Sequence, residues 1–241
     1  LGTRDDWFED HRVEAECRLV YDRRVGTYTL QVPVEIDYTL PYAKRSVVSI
    51  DPGVRTFLTY YTPDGETGEI GKGLRTIHRQ FGAIDKISGM IKRREGNHRR
   101  LRHLRQARRR IYNKVKYLTN EIHWKAAAFL CGNFDTVLLP EFGAAAMLKK
   151  RGLSSRTKRD MQAWAHGRFR ERMLHKARET RTRVVVCGEA YTSKTCGHCG
   201  WQHDRLGSSK TFVCGQCGKV FDRDVNAARN VLLRNLAAIC P

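Results

Sequence analysis

Val47-Val48-Ser49-Ile50-Asp51-Pro52-Gly53-Val54-Arg55-Thr56-Phe57-Leu58-Thr59-Tyr60-Tyr61 is the stretch on which the fold turns. An apolar, β-branched run ends on Asp51, Pro52-Gly53 reverses the chain, and a second β-rich run follows before another turn at Pro63-Asp64-Gly65. This spacing predicts a β-meander with Asp51 at the end of its first core strand. Phe134-Asp135-Thr136-Val137-Leu138-Leu139-Pro140-Glu141-Phe142 reads as a buried strand with Glu141 at its C-terminal tip, and Arg183 to Cys187 as a last strand.

Helical periodicity fills the intervals. Ile77, Phe81, Ile84, Ile87 and Ile91 recur at spacings of three and four; after a break near Gly96 the pattern resumes with Leu101, Leu104, Ile111, Val115, Leu118 and Ile122. Residues 147–183 read as basic and helical after Ser154-Ser155, anchored by Trp164, Phe169, Met173 and Leu174, and Val225 to Leu236 as a helix that packs on the sheet. Strands alternating with helices make an α/β fold. Upstream, residues 12–39 alternate around a turn at Arg23 to Gly26, which predicts two antiparallel strands, with Leu40-Pro41-Tyr42 as the boundary to the core. The opening Leu1-Gly2-Thr3 reads as the interior of something longer, and the strand pair as part of a β domain.

The chain has 241 residues, room for one substantial core and a small satellite module. Lys and Arg number 45 against 25 Asp and Glu, a formal net charge of +20, and such an excess points to a polyanion, most often nucleic acid. No stretch approaches the length of a membrane-spanning run, so an anionic membrane is disfavoured as the partner. The basic residues concentrate at 92–110, where Lys92, Arg93, Arg94, Arg99, Arg100, Arg102, Arg105, Arg108, Arg109 and Arg110 meet a single acid, Glu95. A solvated helix face mixes signs, so this near-uniform stripe reads as a phosphate-tracking surface. Lys149, Lys150, Arg151, Arg156, Lys158 and Arg159 form a second basic group, read as strand contacts, a lid or a charged surface loop.

Cys196-Gly197-His198-Cys199 and Cys214-Gly215-Gln216-Cys217, with 14 residues between them, have the spacing of a tetrahedral, four-cysteine Zn²⁺ site. Four thiolates complete the tetrahedron, so His198 and His203 read as loop residues. The other cysteines, Cys17, Cys131, Cys187 and Cys240, are scattered, a usage that fits a reducing compartment.

A few residues beyond the cysteines comes Asp222-Arg223-Asp224-Val225-Asn226-Ala227-Ala228. Asp51, Glu141 and Asp224 thus fall at strand ends or a helix start, where α/β active sites assemble. Carboxylates gathered there repel unless a divalent cation neutralises them, and Mg²⁺, as a two-metal clamp, suits phosphodiester hydrolysis. Each acid also has a plainer reading: Asp51-Pro52-Gly53 as a turn, Glu141 as a surface acid, Asp222 and Asp224 as N-cap and first-turn residues. A zinc-ribbon nucleic-acid-binding protein without catalysis stays open on these residues, and a ribosome-associated zinc protein would leave the ordered carboxylates unexplained.

In that order, Ser49 to Phe57, Leu138 to Phe142, Tyr191 to Gly200 and Asp222 to Asn230 resemble the RuvC and zinc-finger half of the transposon-encoded TnpB (OrfB) proteins, and Asp51-Pro52-Gly53-Val54-Arg55-Thr56-Phe57 most resembles the variant called Fanzor. The resemblance implies an RNase H-like (RuvC) mixed sheet with flanking helices, an inserted four-cysteine zinc ribbon and a short N-terminal β segment. It implies a tail of a wedge-type β domain at 1–43, a nuclease core at 44–190 with a basic helical insert at about 75–128 and a lid-like segment at about 147–182, a zinc-finger module at 191–220, and the final RuvC motif and helix at 221–241. Asp51, Glu141 and Asp224 fall on the family's Mg²⁺-binding catalytic triad, Asp222 is the neighbour, and Cys196, Cys199, Cys214 and Cys217 fall on its structural zinc ligands. The implied activity is RNA-guided endonucleolytic cleavage of DNA, with guide RNA and target DNA as partners and no small-molecule substrate or membrane. A monomer in the ribonucleoprotein is implied, placed in the nucleus for a eukaryotic source or the cytoplasm and nucleoid for a prokaryotic one. The family's guide-gripping N-terminal helices and most of its wedge domain have no counterpart in these residues, so this portion alone is expected to be inactive or unguided.

Overall fold

The computed structural model describes residues 15–239 except 24–25, 34–44, 73–74, 95, 150–151, 205 and 208. Leu40-Pro41-Tyr42, Lys150, Arg151 and Cys240 lie outside the described residues.

The meander forms β3 (Arg45–Pro52), β4 (Leu58–Tyr61) and β5 (Thr67–Ile70), after a hairpin of β1 (Arg18–Asp22) and β2 (Thr27–Gln31). The helices α1 (Arg75–Lys92) and α2 (His98–Asn133) lead to β6 (Phe134–Pro140). Then come α3 (Ala144–Lys149), α4 (Ser155–Trp164), α5 (His166–Thr180) and β7 (Arg183–Cys187). The chain ends with the ribbon β8 (Thr211–Val213) and β9 (Val220–Asp222), α6 (Arg223–Arg234) and α7 (Leu236–Ile239). The central sheet has the order β5-β4-β3-β6-β7, antiparallel on the meander side and parallel from β3 through β7. Only Leu58–Tyr61 of the second β-rich run pairs; Val54 to Phe57 bend instead, because the Gly53 N–H bonds back to the Phe57 carbonyl (3.1 Å).

Two compact units divide the chain, one holding the hairpin and residues 79–114, the other residues 40–78 and 115–241. In the first, every residue of β1 and β2 is exposed, Tyr21 stacks on Tyr28 (4.5 Å between centroids), and Phe81, Ile84 and Leu101 are buried. In the second, each face of the sheet carries its own layer. Val47 and Leu138 pack with Cys187 against Val231 and Leu232 of α6. Strand alternation sends Val48, Ile50, Val137 and Leu139 to the other face, and an aromatic group of Phe57, His123, Trp164, His166 and Phe169 also fills this unit.

Helix ends follow their chemistry. The Ser154 hydroxyl accepts from the Thr157 N–H (3.1 Å) and starts α4; Ala165, at φ 46°, breaks α4 from α5. Gly96 adopts φ 100° between α1 and α2, a conformation cheap only for glycine. Among the described residues no helix is long and apolar enough to cross a membrane.

Candidate nuclease site and zinc module

Asp51 shares the α6 face of β3 with Val47 and Ser49 by the two-residue alternation of a strand. The Ser49 hydroxyl donates to the Ala228 carbonyl of α6 (2.8 Å), docking the helix one turn below its start. Asp224 lies four residues before Ala228, so that bond brings the first turn of α6 to the end of β3. The helix starts there because Asp222 caps it: Oδ1 accepts from the N–H groups of Asp224 (2.9 Å) and Val225 (3.1 Å). Asp222 therefore serves the backbone, and Asp224 faces the site.

Both aspartates line an open cavity of about 940 Å³ together with two further acids, Glu189 and Asp160, while Glu141 is not in its lining. The pairing register explains which acid comes in. Leu138 pairs with Ser49 and faces α6, so continued alternation past β6 turns Glu141 to the opposite face. On β7, Val185 and Cys187 pack on the α6 side, and the same alternation carries Glu189 to the side of Asp51. The Glu141 carboxylate is exposed, 3.7 Å from the Arg170 guanidinium, and its N–H donates to the Cys187 carbonyl (3.0 Å). Glu189 was missed in the sequence because it ends no apolar run; the signal was its offset of two from inward-facing Cys187.

Asp51, Glu189 and Asp224 are electrostatically strained. Burial raises the proton affinity of Asp51 well above the ordinary carboxylate range, and the charges of Asp224 and Glu189 add to it while Arg223 opposes. Burial likewise raises Glu189, and burial followed by the Asp222 charge raises Asp224. Hard oxygen donors in this state fit a divalent cation, which relieves both desolvation and repulsion. Arg55, Arg156 and Arg223 line the same cavity and give it cationic arms.

The loop after Asp51 is pinned from α4 and α5. The Trp164 indole N–H donates to the Val54 carbonyl (2.8 Å), and His166 Nε2 lies 3.0 Å from the Gly53 carbonyl. His123 Nε2 donates to the Trp164 carbonyl (2.8 Å) while its Nδ1 accepts from Arg172 (2.9 Å). Burial pushes both imidazoles down to about 4, which keeps them neutral.

Cys196, Cys199, Cys214 and Cys217 bring their sulfurs within 4.8 Å of one another, the one group of three or more such donors among the described residues that converges this tightly. The thiols fit a tetrahedral soft-metal site. Each knuckle is a tight turn closed on its first cysteine, with the Gly200 N–H on the Cys196 carbonyl (2.9 Å) and the Gly218 N–H on that of Cys214 (3.1 Å). Phe212, Trp201, Leu206 and Phe221 pack beneath. His198 lies by Lys219 (3.3 Å) and His203 packs on Trp201, so neither joins the cluster.

Asn226 and Asn230 fasten this module to α6. Asn226 accepts from the Gly197 N–H (2.9 Å) and donates to the Thr195 carbonyl (2.8 Å); Asn230 donates to the carbonyls of Thr192 (2.8 Å) and Thr195 (2.7 Å). A Cβ at Gly197 would stand 2.9 Å from the Asn226 oxygen, which is why the knuckle carries glycine. The pair was legible only as two asparagines four apart on one helix face.

Residues 166–231 match the family profile described as Cas12f1-like, TNB domain. The TnpB-like protein L79 of Acanthamoeba polyphaga mimivirus is 34% identical over 227 residues, covering 91% of this chain and 43% of that protein. The chain belongs to the TnpB/Cas12f-type family. The CRISPR-associated endodeoxyribonuclease Cas12f1 of Sulfoacidibacillus thermotolerans is 24% identical over 242 residues, covering 95% of this chain and 55% of its own length. The cryo-EM structure of a CRISPR-Cas12f ternary complex superposes with a TM-score of 0.58 at 15% identity, over 86% of this chain and 42% of that one, which shows the shared RuvC-like fold. The matches do not separate the Fanzor-like variant from TnpB, and this TnpB/Cas12f-type chain spans about half the length of the curated relatives it matches.

Proposed function

We propose that this chain is the catalytic core of an RNA-guided DNA endonuclease that hydrolyses phosphodiester bonds with Mg²⁺. The observation that carries the reading is the cavity that Asp51, Glu189 and Asp224 share with three arginines, on a fold related to Cas12f1. Asp51 and Asp224 would hold the cation, with Glu189 supplying the third carboxylate and Glu141 standing outside. Mg²⁺ bound there supplies the Lewis acidity that activates water and stabilises the leaving oxygen. Arg55 and Arg223 bind the phosphate, while Trp164 and His166 hold the Asp51 loop in register. The four thiolates take structural Zn²⁺, fixing α6 and with it Asp224. The basic stripe at 92–110 grips the phosphates of guide RNA and target DNA by charge.

The test uses the full-length protein loaded with the RNA that copurifies with it. Asp51→Ala and Asp224→Ala are expected to abolish Mg²⁺-dependent cutting, and Glu189→Gln to slow it at least about 100-fold, on the order of losing a charge-stabilising group. Glu141→Gln should cut within a few-fold of the parent. Equal cutting by both aspartate variants would leave the non-catalytic zinc-ribbon reading, and a dead Glu141→Gln beside an active Glu189→Gln would restore Glu141 to the triad.

A further inference from the structure

The cavity wall contributed by α1 and α4 holds a polar chain that the carboxylate site does not use. Asp160, only 7% exposed, has Oδ1 at 3.1 Å from His78 Nε2, and His78 Nδ1 lies 3.1 Å from a guanidinium nitrogen of Arg156. All three line the cavity with Asp51, Glu189 and Asp224. Arginine has donors only, so His78 Nδ1 must accept; the ring proton is then on Nε2, directed at Asp160. The chain has one sense, Arg156 to His78 to Asp160, ending on a buried carboxylate.

A buried acid that served only to anchor α4 needs no arginine at the far end of an imidazole. Here the ring sits between the acid and an exposed guanidinium and commits one of the five N–H donors of Arg156. Among the described residues no other partner takes the remaining donors, and they form a fork that suits two oxygens of a phosphodiester. Holding the fork in place before a ligand arrives removes much of the rotamer entropy that binding would otherwise cost. Arg223, by contrast, already spends a nitrogen on the Gly207 carbonyl (2.8 Å).

We infer that Arg156 is a phosphate-binding residue for the nucleic-acid strand in this cavity, and that His78 and Asp160 are positioning residues that aim its guanidinium. The inference rests on the nuclease reading for its strand and adds the residue that orients the backbone beside the acids. It also separates Arg156 from Lys158, its neighbour in the second basic group, for which charge alone speaks.

The experiment measures the affinity of the whole chain for a fluorescein-labelled oligodeoxythymidine strand by anisotropy, in Ca²⁺ and over a rising NaCl series. Arg156→Ala is expected to weaken binding about tenfold, as for a lost charged hydrogen bond, and to reduce the slope of log K against log salt by about 0.7, one single-strand phosphate contact. His78→Phe should weaken binding in the parent and add less than about twofold on top of Arg156→Ala, because coupled residues are not additive. His78→Gln, which can still accept from Arg156 and donate to Asp160, should recover affinity near the parent, a rescue that a packing role for the ring would not give. Arg156→Ala with the parent's affinity and slope overturns the inference, as does a full His78→Phe effect in the Arg156→Ala background. Loss of cutting in Asp51→Ala and Asp224→Ala is read separately, so a failure at Arg156 leaves the nuclease reading standing and the converse also holds.

Discussion

Two imidazoles next to the Asp51 loop are kept neutral by the protein around them. His123 and His166 have folded-state values of about 4 against an ordinary 6.5, so the unfolded chain binds protons more readily between these limits. Their contribution to stability is complete above pH 6.5 and is lost as the pH falls through 4, worth on the order of 3 kcal/mol for a single ring at 1.36 kcal/mol per unit. Asp51, Glu189 and Asp224 act in the opposite sense, since their raised proton affinity means that acid relieves them. The ring signals of His123 and His166 in an NMR titration isolate the first effect: both should stay neutral at pH 5.5. A midpoint near 6.5 for either ring would show that the pins to Trp164 and Gly53 do not hold it.

At the scale of elements, α6 serves three purposes with one short sequence. Asp222 caps it, Asp224 presents a carboxylate, and Asn226 and Asn230 grip the first knuckle of the cysteine module. Placing Ala at Gly197 drives a methyl into the Asn226 amide, and an overpacked site of this kind costs roughly 1–3 kcal/mol. We expect Gly197→Ala to lower the melting temperature and to reduce cutting while the purified protein still carries about one equivalent of zinc, the number that four thiols can hold. Cys214→Ser should lose the metal as well. If metal content is zero in the parent under reducing, chelator-free conditions, the zinc assignment falls; if Gly197→Ala melts and cuts like the parent, the knuckle is not what steadies Asp224.

Across the whole molecule, positive charge and the cavity acids are carried by different segments. The ten basic residues of 92–110 lie on α1, α2 and the turn between them, all exposed except partly buried Arg108, whose guanidinium donates to the Ser88 hydroxyl (3.3 Å). A surface of this kind binds polyanions by counterion release, so RNA affinity should fall steeply with salt. Replacing Arg99, Arg102 and Arg105 together by Gln should reduce the log–log slope by about 2 to 3. A slope unchanged in the triple variant would exclude the stripe as the phosphate surface.

Strand and helix positions, the paired knuckles and the placing of Asp51 and Asp224 at element ends were legible from residue order, because they depend on local periodicity, turns and short spacings. The bend at Val54 to Phe57 was not, since a backbone bond from Gly53 to Phe57 overrides the β-rich composition there. Glu141 looked like the third acid because it ends an apolar strand. Which face an acid occupies depends on the register of β6 and β7 against β3, and that register exists only once the sheet is paired. The same holds for His78 and Asp160, 82 residues apart in the chain and joined only when α1 and α4 meet at one cavity. Residue order therefore specified the elements, the cysteine module and two of the cavity acids. Packing of the sheet was needed to bring Glu189, and not Glu141, in beside them, because side-chain facing and long-range contact arise from pairing register and not from position along the chain.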